Sequence, residues 1–178
     1  MEKTPKSITV NGLTHGALTG VVMIIYSLIL YVADLHMHKY LPMITFLLLI
    51  AGLIYGTIEY RNKVLGGLIP YGKAFGASFM IALFAVFLYA IYSYVFYQFI
   101  APDAILDLVD QAREKIMNSN PDISEEKLEA ALNMQSAFFK PIWIAVMSFI
   151  VQLVISAVVA LITSAFIKKE DKSFSANV

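Results

Sequence analysis

The sequence predicts an all-α integral membrane protein, a four-helix bundle with an extracytoplasmic helical hairpin between its third and fourth spans. One reason is composition: 59% of the 178 residues are apolar and 15% are charged, against about 45–50% and about 25% in ordinary soluble domains. The other reason is distribution, since the charged residues are absent from four long runs and concentrated between them. Hydrocarbon excludes charge in this way, whereas buried helices of soluble proteins keep a polar face.

Each of the four uncharged runs is long enough to cross a bilayer. A hydrocarbon core of about 30 Å needs about 20 mostly apolar helical residues, and none of the runs contains Asp, Glu, Lys or Arg. The second run is the shortest, and Pro42 in its first turn suits a helix start. The predicted spans are 13–33, 41–58, 74–100 and 142–167. Residues 1–178 are predicted to form a single membrane domain.

Residues 101–140 are the sizeable part of the chain outside the predicted spans. Apolar residues recur there at helical spacing in two stretches, separated by the turn-forming sequence Asn-Ser-Asn-Pro at 118–121. Asp122, with Glu125 three residues later, has the pattern of a helix cap for the second stretch. The segment is therefore predicted to be a helical hairpin.

Four carboxylates follow one face of the first hairpin helix, at spacings of four, three and four residues: Asp103, Asp107, Asp110 and Glu114. A divalent cation bridging them is one interpretation. The favoured interpretation is a solvated acidic face, because no glycine-turned loop brings oxygen ligands together as a calcium site requires.

The distribution of Lys and Arg predicts the orientation. Eight of these residues flank one side of the predicted bundle and five the other, and basic flanks stay in the cytoplasm. The eight are Lys3, Lys6, Arg61, Lys63, Lys73, Lys168, Lys169 and Lys172. We therefore expect both termini in the cytoplasm and residues 101–140 outside. The net charge of +0 hides a basic inner side and an acidic outer side, and it argues against a nucleic-acid partner.

The sequence predicts no catalytic site and no cofactor, and hence a protein that is not an enzyme. It has no cysteine, which excludes thiolate chemistry and disulfides, and no Ser/His/Asp nucleophile set is apparent. Asp34, His36 and His38 are candidate metal ligands only if their segment is extended, since residues two apart do not share a helix face. The alternative is a polar turn at the membrane surface, and no metal site is assigned. His15 is either a proton acceptor in the bundle or an interfacial residue.

Small and weakly polar residues recur every four positions in the spans, which lets helix backbones approach closely. These predicted packing residues are Gly12, Gly16 and Gly20 in the first span and Ser148, Gln152, Ser156, Ala160 and Ser164 in the fourth. Similar pairs are Gly52 with Gly56 and Gly72 with Gly76. We expect contacts within the bundle or between copies of the chain.

The predicted function is a non-enzymatic accessory, scaffold or assembly subunit whose partners are the lipid bilayer and either a further copy or another membrane protein. The alternative is a small oligomeric channel or transporter component, with the fourth-span face lining a pore.

Four sequence motifs resemble those of a bacterial family catalogued as domain of unknown function 4199. They are IPYGKAFG at 69–76, FIAPD at 99–103, ISEEKLEAA at 123–131 and AFIKK at 165–169. The likeness covers nearly the whole chain. The resemblance implies an integral protein of the bacterial cytoplasmic membrane and brings no established activity with it.

Overall fold

The computed structural model describes residues 7–170, which are almost entirely helical. Within them no strand forms, and one antiparallel bridge joins Ile69 to Lys169. The helices are α1 (Ile8–Val32), α2 (Met43–Lys63), α3 (Tyr71–Val95), α4 (Ala104–Ser119), α5 (Glu125–Gln135) and α6 (Pro141–Ile167). A π-helical turn, Phe96–Ile100, continues α3, and a 3₁₀ turn, Ser136–Phe139, precedes α6. The all-α prediction is confirmed.

Four of these helical segments are long and apolar enough to span a bilayer. They are Ile8–Val32, Met43–Lys63, Tyr71–Ile100 and Pro141–Ile167, with 25, 21, 30 and 27 residues. At about 1.5 Å per residue even the shortest reaches about 30 Å. The chain is therefore a multi-pass membrane protein with four spans. Lys3, Lys6 and Lys172, which contribute to the predicted orientation, lie outside the described residues.

The first helix begins five residues before the predicted span. Ser7 is its N-cap, with extended backbone angles and a hydroxyl that accepts a hydrogen bond from the Val10 amide at 3.2 Å. This cap satisfies one of the amide donors that a helix start leaves free. The helix extends beyond the apolar run because its capped first turn includes the polar residues Thr9 and Asn11.

The second helix ends five residues beyond the predicted span. Glu59, Arg61 and Lys63 lie in its last turns, and the Lys63 ammonium contacts the Glu59 carboxylate at 3.0 Å. An (i, i+4) pair with the acid first supports a helix, and cations favour its C-terminal end. The charged residues therefore continue the helix beyond the point where the uncharged run ends.

The described chain divides into two compact units. One contains α1, α2, α3 as far as Tyr89 and α6 from Val151 onwards, and the other contains residues 90–150. In the first unit the fully buried large side chains include Met23, Leu49, Leu53 and Ile81. Large apolar side chains on the outer face of α6, such as Val154, Val158 and Phe166, are exposed, as expected of a surface that faces lipid.

Candidate functional site

The hairpin helices α4 and α5 form the candidate interaction surface. The turn at 120–124 joins them, and the Arg113 guanidinium contacts the Glu125 carboxylate across the pair at 2.9 Å. Leu128 is buried. The predicted helical hairpin is therefore present. Its predicted cap is not, since Ser124 is the N-cap of α5 and makes no side-chain cap bond, while Glu125 pairs with Arg113.

Large apolar residues of this hairpin remain uncovered in the described chain. Leu106 is 63% exposed, and Met134 is 82% exposed. Met117 and Phe138 are also exposed. Methionine and aromatic side chains are typical of surfaces that bind other proteins. The hairpin therefore combines solvated charge with apolar residues that a partner could cover.

The acidic face of α4 does not assemble a metal site within the described part of the chain. Asp103, Asp110 and Glu114 are exposed. Among residues 7–170 no three His, Cys, Asp or Glu side chains converge as metal ligands would. Three of the four carboxylates of this face are therefore accessible to solvent.

The predicted metal candidates lie in the connection between α1 and α2. Asp34 has a left-handed backbone, with φ 56°, and ends α1: its amide donates to Tyr31 O at 3.0 Å and the Leu35 amide donates to Leu30 O at 2.8 Å. This bonding is a Schellman cap, in which a residue just past the helix adopts the left-handed conformation. Asp34 therefore has a structural role that needs no ligand.

The two histidines of that connection make separate contacts. His36 Nδ1 lies 3.9 Å from Asp34 Oδ1, and the His36 ring lies 5.3 Å from the Tyr31 ring. His38 Nδ1 instead accepts a hydrogen bond from the Tyr40 amide at 3.3 Å. The three candidates thus form a polar turn in which His38 Nδ1 is already engaged.

A group of ionisable side chains lies between α1 and α2, and we call it the polar cluster: His15, Tyr55, Glu59 and Lys63. His15 Nε2 is 4.0 Å from Glu59 Oε1, and the His15 and Tyr55 rings meet edge to face at 5.9 Å. The His15 side chain is 12% exposed and that of Glu59 is 24% exposed. The structure therefore brings together a histidine and a carboxylate that the sequence placed at the ends of two different spans.

Polar groups continue from the polar cluster along the same helices. The Asn11 amide donates to Gly56 O at 3.4 Å, and the Thr19 hydroxyl donates to His15 O at 2.7 Å. Between α2 and α3 the buried Thr57 and Ser78 hydroxyls are 2.8 Å apart. Such bonds satisfy polar atoms that hydrocarbon cannot solvate.

The first-span glycines lie against α3. A Cβ added at Gly12 would be 2.6 Å from Met80 Cβ, and one at Gly16 would be 2.6 Å from Phe84 Cβ. At Gly20 it would be 3.1 Å from Ala85 O. The absence of side chains at these three positions is what permits the close approach of the two backbones.

The other small-residue positions fall into two groups. Gly52 and Gly56 lie against Thr19 and His15 of α1, whereas Gly72 and Gly76 have no heavy atom within 4 Å of an added Cβ. Of the predicted packing residues in α6, Ser156, Ala160 and Ser164 are buried, and Ser148 and Gln152 are half-buried. The predicted pair in α3 is thus not at a close contact of the described chain.

One protein family matches most of the chain. Residues 14–169 match the family described as Protein of unknown function (DUF4199). The chain belongs to this family. The resemblance inferred from the four motifs is thereby confirmed. The DUF4199 match includes the polar cluster, the hairpin, most of the first span and the other three spans. No curated protein and no solved structure matches the chain.

Sequence reasoning missed the pairing of His15 with Glu59 and the bond between Thr57 and Ser78. The sequence contained a signal for the pairing of His15 with Glu59. His15 lies in the first turn of the first uncharged run, and Glu59 directly follows the second run. Helices that are adjacent and antiparallel bring such positions to the same depth. Which polar residues share one interface, however, depends on the rotation of each helix.

Proposed function

We propose that this DUF4199 protein is a non-enzymatic accessory or scaffold subunit that recruits a membrane-protein partner through its α4–α5 hairpin. The observation that carries the proposal is the surface of that hairpin, where exposed carboxylates accompany exposed Leu106 and Met134. Residues 101–140 contain eight acidic and four basic side chains. A partner with a basic, partly apolar surface is complementary to it.

The proposal includes an orientation, with both termini in the bacterial cytoplasm and the hairpin outside. The excess of Lys and Arg beside the other helix ends supports it. Reporters fused after the chain's last residue and within the 120–124 turn test it: a cytoplasm-specific reporter should be active at the first position and inactive at the second. The reverse pattern would overturn the orientation.

Quantitative co-purification from native membranes tests the recruitment. The full chain carrying Asp103→Asn, Asp110→Asn and Glu114→Gln should lose the partner enriched by the wild type, because the substitutions neutralise three of the four carboxylates of the acidic face and leave α4 intact. The matched control carries Lys115→Gln, Lys127→Gln and Lys140→Gln in the same segment and should retain it. Identical partner sets for all three proteins would refute the proposal.

A second candidate, a small oligomeric channel or transporter component, is favoured by one observation in α6. Gln152 Oε1 and Ser164 Oγ are buried and have no hydrogen-bond partner within the described chain. Such atoms need water or a second protein surface. Flux of ions or small solutes through vesicles containing the folded protein, reduced by Gln152→Leu, would support this function. Absence of flux across a broad panel would remove it.

A further inference from the structure

The ends of α2 and α6 and the start of α3 meet in one place, which we call the basic junction (residues 59–73 with 166–170). Arg61 Nη1 donates to the carbonyl of Ile167, the last residue of α6, at 2.9 Å. Ile69 and Lys169 exchange two backbone hydrogen bonds, each of 2.9 Å. The end of α6 is therefore tied to the connection that follows α2.

A small apolar core supports the junction. The buried side chains of Tyr60, Ile69, Ala74, Ala77 and Ile167 cluster there, and the Tyr71 hydroxyl donates to Leu161 O at 3.2 Å. Cations carried by these elements thus project from a fixed backbone. A mobile basic tail would offer similar charge without fixed positions.

The junction contains an excess of positive charge. Its cations are Arg61, Lys63, Lys73, Lys168 and Lys169, and its carboxylates are Glu59 and Glu170. Arg61 is engaged at the end of α6 and Lys63 pairs with Glu59. Lys73, Lys168 and Lys169 are exposed, and none of the three pairs with a carboxylate of residues 7–170.

Apolar side chains lie beside these lysines in the chain. Phe166 is 84% exposed and Leu68 is 42% exposed. Leu68 directly precedes Ile69, and Phe166 lies three residues before Lys169. Gly66 and Gly67 adopt φ 68° and 96° and have no heavy atom within 4 Å of an added Cβ. The surface therefore offers ammonium groups, apolar side chains and an unobstructed stretch of backbone at one end of the spans.

We propose that the basic junction binds the headgroup of an anionic phospholipid. Lys73, Lys168 and Lys169 would contact the phosphate oxygens, and Leu68 and Phe166 would contact the acyl chains. Basic surfaces at the ends of membrane helices bind such headgroups because phosphate is attracted to ammonium groups near the membrane surface. A ligand at this place would bridge the elements that Arg61 and Ile69 already join.

Native mass spectrometry of the full chain, with cardiolipin or phosphatidylcholine added, tests the proposal. Wild type should retain cardiolipin in preference to phosphatidylcholine. A variant carrying K73Q, K168Q and K169Q should bind cardiolipin about a hundredfold more weakly, since each lysine near a phosphate accounts for about a fivefold change. The K73R/K168R/K169R variant should keep most of the binding.

The control variant K115Q/K127Q/K140Q removes the same charge from the hairpin and should bind cardiolipin like the wild type. Equal weakening in both glutamine variants would overturn the proposal, because attraction to net charge would then explain the binding. If inorganic phosphate displaced bound cardiolipin as effectively as added cardiolipin does, the lipid proposal would be overturned in favour of a free-phosphate site. Helicity and thermal unfolding of each variant identify any that fails to fold, and the arginine variant then provides the decisive comparison. The test is independent of partner recruitment by the hairpin.

Discussion

Helices associate differently in two regions of the molecule. One region is the interface of α1 with α2 and α3, and the other is the α4–α5 hairpin. In the interface, glycines bring backbones together and hydroxyls bond to one another or to carbonyls, as at Gly16 and at Thr57 with Ser78. In the hairpin, the contacts include a buried leucine, Leu128, and an exposed ion pair between Arg113 and Glu125. Lipid offers no hydrophobic driving force for helix association, so the helices of a membrane protein associate through close van der Waals contact and buried hydrogen bonds. The interface should therefore tolerate little change and the hairpin much more.

The largest expected effect is at Gly16. Gly16→Ala places a methyl group 2.6 Å from Phe84 Cβ and 2.7 Å from Ile81 O, and α1 must move away from α3. The free energy of unfolding should fall by about 2 kcal/mol, measured by denaturant unfolding in detergent. The matched control is Gly76→Ala, where space is open and helix propensity should add up to about 1 kcal/mol. Equal effects at the two glycines would remove the distinction between them.

A smaller effect is expected at the buried hydroxyl pair. Thr57→Val and Ser78→Ala should each lower the free energy of unfolding by about 1 kcal/mol, because each leaves one hydroxyl without its partner. The double variant should lose less than the sum. A double-mutant cycle measures the coupling, expected to be about 1 kcal/mol. Strict additivity would mean that the 2.8 Å contact contributes nothing.

Asp34 should respond in the opposite direction. Asp34→Gly suits the φ of 56° at the end of α1, because glycine adopts the left-handed region without a steric penalty. Thermal unfolding should show a gain of about 0.5 kcal/mol. Asp34→Ala is the control and should lose stability. If zinc stabilised the wild type and not Asp34→Gly, the metal-ligand interpretation would replace the capping role.

The smallest effect belongs to the hairpin ion pair. Arg113→Glu and Glu125→Arg should each lower the free energy of unfolding by less than about 0.5 kcal/mol, since exposed pairs contribute little. The double exchange should restore it. Hydrogen exchange of α5 amides provides the measurement, with Lys115→Glu as a control for added negative charge on α4. A larger loss than at Gly16 would reverse the proposed contrast between the two regions.

Much of the architecture follows from the order of residues. The four uncharged runs predict the spans, and the apolar spacing with the Asn-Ser-Asn-Pro turn predicts the two helices of the hairpin. Helix ends were less predictable. Ser7 caps α1 before the apolar run begins, and α2 continues through Glu59 to Lys63. Caps and ion pairs act through particular atoms, whereas the predicted spans rested on apolar, uncharged composition.

The sequence by itself determined that this chain enters a membrane, how many spans it has and where its charges concentrate. Each of these three properties depends on the composition of individual segments, because the free energy of transferring a segment into lipid depends on the residues of that segment alone. The tertiary structure decided which residues meet: His15 with Glu59, Arg61 with the end of α6, and Gly16 with Phe84 rather than Gly76 with any close neighbour. Those contacts depend on how each helix is rotated and how deeply it sits against the others. Many weak packing interactions set that rotation and depth together, and no single segment encodes them.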